Sequence, residues 1–363
     1  MTILAIVIAM AVPIVFLALV RWLDLYASGS FRQVLVSLGW GIAAFFLALQ
    51  VNSFIGGFVG FTLLATLVAP VIEEVVKSLV LVYQVRRPGF TYFVDGAIYG
   101  FAAGVGFAVL ENWLYLGRGG DAGLSVAFGR AFSTALMHGS ATALVGISLG
   151  RLRYGRSLGH YASLFIGWAA AMALHLAFNN LVQVDAGRWT LILAVGLGLA
   201  GAGMVAGFIF FGLREERRWL AETLGPHVGV SAGESAVVQQ LDDLERLLAP
   251  VEAHFGRDKR QQVEGFLKLQ AQLGLKRKVQ ELTPDPRQRA EMAGQVAALR
   301  REIDAARRAV GMYCMSYVRS ILPPEGEPMW DRLGQALETR APSEGPSLWG
   351  RLDHRLDASQ KEG

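Results

Sequence analysis

Ala-Thr-Leu-Val-Ala-Pro-Val-Ile-Glu-Glu-Val-Val-Lys-Ser-Leu-Val-Leu-Val-Tyr, residues 65–83, is an apolar run with two carboxylates and an ammonium group set in its middle. Its neighbours decide how it is read. Up to about residue 213 the chain is a series of such runs, at approximately 3–22, 33–53, 56–84, 92–116, 125–150, 160–182 and 190–213. Each is long enough to cross a hydrocarbon core of about 30 Å, some with tilt. The pattern predicts an all-α, polytopic transmembrane helix bundle of seven spans. Pro70 leaves an eighth open, if 56–84 divides into two short helices.

Composition agrees. Of 363 residues, 53% are hydrophobic and 18% charged, and the charge is concentrated beyond residue 213, where no apolar run approaches a span's length. The net charge of +4 resides in arginines beside the spans, which argues for orientation in a membrane and against a nucleic-acid partner. Arg21 and Arg32, then Arg86 and Arg87, then Arg151, Arg153 and Arg156 mark the odd loops. The even loops hold fewer: almost none in the second, Arg118 and Arg130 in the fourth, Arg188 in the sixth. The positive-inside rule then predicts an inner (cytoplasmic) membrane protein with its N-terminus outside and its C-terminal domain cytoplasmic. No basic residue precedes the first apolar stretch, so residues 3–20 read as an uncleaved first span rather than a signal peptide. The single cysteine, Cys314, excludes an intramolecular disulfide framework and a cysteine-based metal cluster.

Three segments follow: a transmembrane domain at 1–213, a soluble helical domain at 214–322, and a largely disordered tail at 323–363 rich in Pro, Gly, Glu and Ser. Ser231 with Glu234 fits a capping box before a helix carrying Leu241, Leu244, Leu248 and Val251. Asp285-Pro286 reads as a helix start. After it Met292, Val296, Leu299, Ile303, Ala306 and Val310 form a seam, read as the core of a small helical domain, with self-association through a dimer zipper as the alternative. Gly96, Gly100 and Gly104, four residues apart, predict a close helix–helix approach.

Ionisable groups inside a span each cost about 2.5–3.5 kcal/mol at the helix centre, so their presence asks for a reason. The third span carries Glu73, Glu74 and Lys77, the fourth Glu111 and Asn112, the fifth His138, and the sixth His175 and Asn179. Glu73 and Lys77 stand four residues apart on one helix face, as do Phe107 and Glu111, and His175 and Asn179. Glu74 points about 100° away from Glu73. Any one of them reads as structural glue, a buried ion pair or interhelical hydrogen bond; together they exceed what packing needs. A buried carboxylate can act as general base on water, and an imidazole and a carboxamide can donate to a developing oxyanion. Lys77 beside Glu73 would hold one carboxylate ionised. Water attack on an amide suits these parts best. Glutamate and histidine are also ligands for zinc or another divalent metal, although no His-Glu-x-x-His helix is present.

The ordered set Glu73-Glu74-Val-Val-Lys77, Phe107-Ala-Val-Leu-Glu111-Asn112, His138 and His175-Leu-Ala-Phe-Asn179 resembles the PrsW family of bacterial membrane proteases, within the wider CAAX prenyl endopeptidase superfamily. The stretch from Asp95-Gly96 to Glu111-Asn112 is similar to the family pattern as well, and the resemblance covers about 55–213. It implies that Glu73 activates water with support from Glu74 and Glu111. It further implies that His175 and Asn179 form an oxyanion-binding pair and that His138 lines the site, with Lys77, Phe107 and Asn112 supporting. The CAAX branch has histidine where this chain has Glu111, so His138 is a second candidate partner for Glu73. The mechanism is left open between a glutamic peptidase without a metal and a metal-dependent one, with Glu73, Glu111, His138 and His175 as the candidate ligands. The implied substrate is a membrane-anchored protein such as an anti-sigma factor, met in the lipid bilayer. Two alternatives stand beside this reading: a proton-coupled transporter, and a non-catalytic scaffold presenting a cytoplasmic helical module. Gly146-Ile-Ser148-Leu-Gly150 matches a serine nucleophile pattern but lies in an apolar helix, without the strand-turn-helix context that gives it meaning.

Overall fold

The structure, a computed structural model, describes residues 2–24, 30–87, 89–118, 124–154, 157–184, 188–224, 230, 235, 237–238, 244–283 and 285–321. The capping box at Ser231 and Glu234, Leu241 of the helix expected after it, and the tail at 323–363 lie outside the described residues.

Every regular element among the described residues is helical. The membrane part comprises α1 (Thr2–Trp22), α2 (Phe31–Val59), the single turn α3 (Phe61–Leu63), a π-helical turn (Leu64–Val68), α4 (Ala69–Gln84) and α5 (Phe93–Arg118). It continues with α6 (Leu124–Phe132), α7 (Thr134–Leu152), α8 (Leu158–Gln183) and α9 (Arg188–Thr223). The C-terminal helices are α10 (Leu244–Leu247), α11 (Ala249–Phe255), α12 (Arg257–Leu282), α13 (Pro286–Val310) and α14 (Met312–Ile321).

Six helical stretches are long and apolar enough to cross a membrane, and the chain is a polytopic helical bundle. The stretch from Phe61 to Gln84 is helical too, but it holds Glu73, Glu74 and Lys77. Three boundaries differ from the sequence reading. The second helix runs on to Val59 and stops at Gly60, whose φ of 78° is the left-handed geometry that glycine accepts. The expected 125–150 span is divided at Ser133 into α6 and α7. The last helix continues ten residues past 213 to Thr223.

Pro70 does not split its segment. A proline lacks the N–H that would bond a carbonyl one turn back, at Thr66 in α-helical pairing and Ala65 in π-helical pairing. Both orphaned carbonyls are taken by α8: Asn179 Nδ2 donates to Ala65 O at 3.0 Å, and Asn180 Nδ2 to Thr66 O at 3.1 Å. The chain therefore stays helical through the proline, with a π turn leading into the helix that carries Glu73, Glu74 and Lys77.

Helices α5 and α7 form the centre and are enclosed almost throughout, whereas α1, α2, α8 and α9 expose apolar faces. Phe54, Phe58, Phe165, Ile166, Phe210 and Phe211 project outward, as hydrocarbon-facing side chains do. The glycine stripe works as expected. A Cβ on Gly96, Gly100 or Gly104 would fall on the carbonyls of Gly146, Thr142 and His138 in turn, so α5 and α7 touch backbone to backbone. This contact sets His138 opposite Gly104, two turns from Glu111.

The C-terminal helices pack on the end of α9. Thr223 Oγ1 donates to Gly274 O at 3.1 Å, and Lys278 pairs with Glu222 at 2.6 Å. Asp285 caps α13, its carboxylate accepting from Arg287 N at 2.9 Å. The seam residues Met292, Val296, Leu299, Ile303 and Val310 are buried, and α13 lies along α12. The seam is thus used inside the chain as a domain core.

Candidate active site

The polar side chains that single spans seemed ill-suited to carry converge on one network. Glu74 and Lys77 of α4 are completely enclosed. Lys77 Nζ lies 2.5 Å from Glu74 Oε1 and 2.9 Å from His138 Nδ1, and 4.7 Å above the Phe107 ring. The lysine therefore pairs with Glu74 rather than with Glu73, the partner that the four-residue spacing suggested. The reason is rotational: Glu74 and Lys77 turn toward α7, whereas Glu73 turns toward α2 and α8. Thr142 Oγ1 completes the Glu74 shell, donating to Oε2 at 3.0 Å. A buried carboxylate so fully hydrogen-bonded offsets the large penalty of removing it from water.

Two imidazoles stand edge to face beyond this pair, their centroids 4.7 Å apart. His138 offers Nδ1 to Lys77, so its Nε2–H donates to Glu111 Oε2 at 2.6 Å. As a neutral imidazole, His175 donates from Nδ1 to Glu74 Oε1 at 2.8 Å and keeps a lone pair on Nε2. That lone pair faces Glu73 Oε2 at 3.6 Å. Two Lewis bases set opposite each other, too far apart for a direct hydrogen bond, form half of a cation site.

The residues fit a divalent metal by that donor chemistry. Glu73, His138 and His175 each bring a ligand atom within 4.8 Å of the others. Zinc bonds of about 2.0–2.1 Å at a tetrahedral angle separate two donors by roughly 3.3 Å, close to the Glu73–His175 spacing. Glu74 behind His175 is the carboxylate that commonly orients a ligating imidazole. His138 has both ring nitrogens engaged, so its share in ligation requires exchange of the Glu111 or Lys77 bond. Glu111, the fourth candidate ligand, lies outside the converging trio.

Asn179 lines the site, and one proton of its Nδ2 is committed to Ala65 O, leaving the second for another acceptor. Asn112 is buried among structural partners: its Nδ2 reaches Ala9 O of α1 at 3.2 Å, and its Oδ1 accepts from Arg130 Nε at 2.9 Å. Arg130 also donates to Glu111 Oε1 at 3.1 Å and lies over the Tyr115 ring. Sequence reading treated Arg130 as a loop charge; the break at Ser133 swings it inward. Asn52 of α2, which bonds Glu73, was missed as well, since that helix holds no ionisable residue beyond Arg32 at its start. Ser148 donates back to Val145 O of its own helix and sits beside Gly167, two turns from His175.

A cavity of about 860 Å³ opens beside the network, lined by Glu111, Arg130, His138, Asn179, Thr190 and Leu191 among others. Its α9 wall is the start of that helix, whereas α12 packs at the other end. At 1.5 Å per residue the two are roughly 45–50 Å apart. The site and the C-terminal helices therefore occupy opposite ends of the bundle.

Fold and site together define a polytopic membrane protein with a buried glutamate–histidine centre, flanked by an open cavity that Glu111 and His138 line and Glu73 and His175 do not. The family model described as PrsW family intramembrane metalloprotease matches residues 29–213, and the chain belongs to that family. The match takes in α2, which the sequence resemblance left out. Among curated proteins the chain is similar to Protease PrsW of Clostridioides difficile (strain 630), 28% identical over 131 residues. That match covers 35% of this chain and 55% of the relative, so the chain spans about half the length of the curated protein it matches. No solved structure matches it.

Proposed function

We propose that the chain is an intramembrane endopeptidase that hydrolyses a peptide bond of a membrane-anchored protein. The carrying observation is the facing pair Glu73 Oε2 and His175 Nε2, 3.6 Å apart inside an apolar bundle, in a network whose Glu111 and His138 line a cavity. The family match favours this over a proton-coupled carrier or an inert scaffold. A membrane-anchored anti-sigma factor is one substrate of the required chemistry.

Glu73 takes a proton from the attacking water as its oxygen bonds to the scissile carbonyl carbon. The C–N bond then breaks, and Glu73 returns that proton to the leaving amine. Asn179, through its second N–H, is placed to donate to the oxyanion at the cavity wall. Lys77 and Thr142 keep Glu74 fixed, and Glu74 keeps His175 in the tautomer with Nε2 unprotonated. Glu111, held by Arg130, keeps His138 in place. In the metal-dependent alternative, a divalent cation held by Glu73, His138 and His175 would supply Lewis acidity to the carbonyl and make the attacking water more acidic, with Glu73 then a ligand rather than the free base.

The arginine distribution supports a cytoplasmic C-terminal domain, and with it a site toward the outer half of the membrane. The test is cleavage of a single-span substrate by purified protein in liposomes. Wild type is expected to cleave, and Glu73→Gln and His175→Ala to be inactive while inserted and folded. Equal cleavage by both variants would overturn the assignment.

A further inference from the structure

Glu73 is the acid of the network held from α2. Asn52 Nδ2 donates to Glu73 Oε1 at 3.3 Å, which leaves Oε2 for His175. The donor contact fixes which way the amide is turned, and its other end is conspicuous. Asn52 Oδ1 is buried and has no hydrogen-bond partner among the described residues. A buried acceptor left without a donor is destabilising. Such atoms are ordinarily filled by ordered water, which brings protons and needs two or more polar partners. Here the second partner is at hand: the Glu73 carboxylate, bonded to the same amide.

We propose that Asn52 is a positioning residue for the hydrolysis. It ties down one oxygen of Glu73 so that the other faces His175, and its Oδ1 holds a water beside that carboxylate. The inference rests on the proposed peptidase activity and adds to it a helix outside the acid and histidine motifs. The competing reading is a polar side chain that merely packs α2 on α4. Leucine separates the two, being close to asparagine in size and shape without either polar atom.

The experiment uses full-length protein with Asn52→Leu, Asn52→Asp and Asn52→Gln, each shown to be monodisperse and helical. Two readouts are taken: kcat and KM on the single-span substrate in liposomes, and Co²⁺ affinity from its visible absorption. Asn52→Leu and Asn52→Asp are expected to lower kcat about 10–100-fold with KM unchanged, and to weaken Co²⁺ binding about tenfold. Asn52→Gln, which keeps both polar atoms one methylene further out, is expected to recover part of both losses. Wild-type kcat and Co²⁺ affinity in Asn52→Leu, or a change confined to KM, would overturn the proposal. If Asn52→Leu does not fold, Asn52→Asp at wild-type kcat overturns it equally. Wild-type protein that binds Co²⁺ but never cleaves defeats the peptidase reading alone, and the Co²⁺ titration of Asn52→Leu still decides the positioning of Glu73. Wild type that neither cleaves nor binds Co²⁺ defeats both.

Discussion

Glu73 and His175, on α4 and α8, meet at 3.6 Å with the imidazole lone pair turned toward the carboxylate, because the other ring nitrogen is spent on Glu74 at 2.8 Å. The adjacent glutamates are thus chemically distinct. Glu74 is enclosed and saturated with donors, whereas Glu73 keeps one oxygen uncommitted. Glu73→Gln should lower cleavage by about 10²–10⁴-fold, the usual share of a general base. Glu74→Gln should act through His175 and Lys77, and is expected to reduce the amount of folded protein as well as the rate. Thermal unfolding of the two variants separates them: a normal midpoint for Glu74→Gln would contradict its structural share.

The facing donors predict a metal response. Purified protein assayed by elemental analysis should hold a divalent metal that Glu73→Ala and His175→Ala lose and Asn180→Ala keeps. A chelator should abolish cleavage and added zinc restore it. Full activity after complete metal removal would select the metal-free glutamic mechanism.

Arg130 is expected to matter despite its position on the short helix α6. Its Nε and Nη2 hold Asn112 and Glu111 at 2.9 and 3.1 Å. Arg130→Ala frees Glu111 and should reduce kcat about 10–100-fold. Lysine supplies the charge without the planar fork, so Arg130→Lys should recover only part of the loss. An unchanged kcat in Arg130→Ala would remove Glu111 positioning from the account.

The glycine stripe makes a stability prediction. At Gly100 a side chain meets the Thr142 carbonyl, so Gly100→Leu should cost at least about 3 kcal/mol, the upper end of overpacking effects, or prevent folding. Gly57 has open space around it, and Gly57→Leu should stay within about 0.5 kcal/mol. Comparable melting temperatures for the two variants would contradict the close approach of α5 and α7.

Cys314 offers a probe of the C-terminal helices. It is 2% exposed, and burial pushes its thiol pKa up, so little thiolate is available. Maleimide labelling should be slow in folded protein and fast in denaturant. Rapid labelling without denaturant would show that α14 opens readily.

Much of this was legible in the chain itself. Helical class follows from apolar length, because a bilayer leaves a spanning backbone few ways to satisfy its own hydrogen bonds. The candidate residues were legible for a related reason: Glu73, Glu74, Lys77, Glu111, His138 and His175 stand out wherever hydrocarbon makes charge expensive. The Asp285 cap and the α13 seam were local patterns too, each readable within a few turns. Pro70 left a division of its segment open because its missing donor is compensated from Asn179 and Asn180, more than a hundred residues away.

What the sequence determined by itself, then, was the inventory: which segments are helical, which side chains are out of place in lipid, and which family pattern they compose. Only the tertiary structure decided the pairings. Spacing on one helix put Lys77 with Glu73; packing put it with Glu74 and His138. Arg130 and Asn52 were ordinary polar residues until α6 and α2 carried them against Glu111 and Glu73. The physical reason is that periodicity fixes direction only around a helix's own axis. Partnership depends on the rotation and depth of neighbouring helices, and here close glycine contacts join α5 to α7 while a π turn precedes the helix that carries Glu73, Glu74 and Lys77.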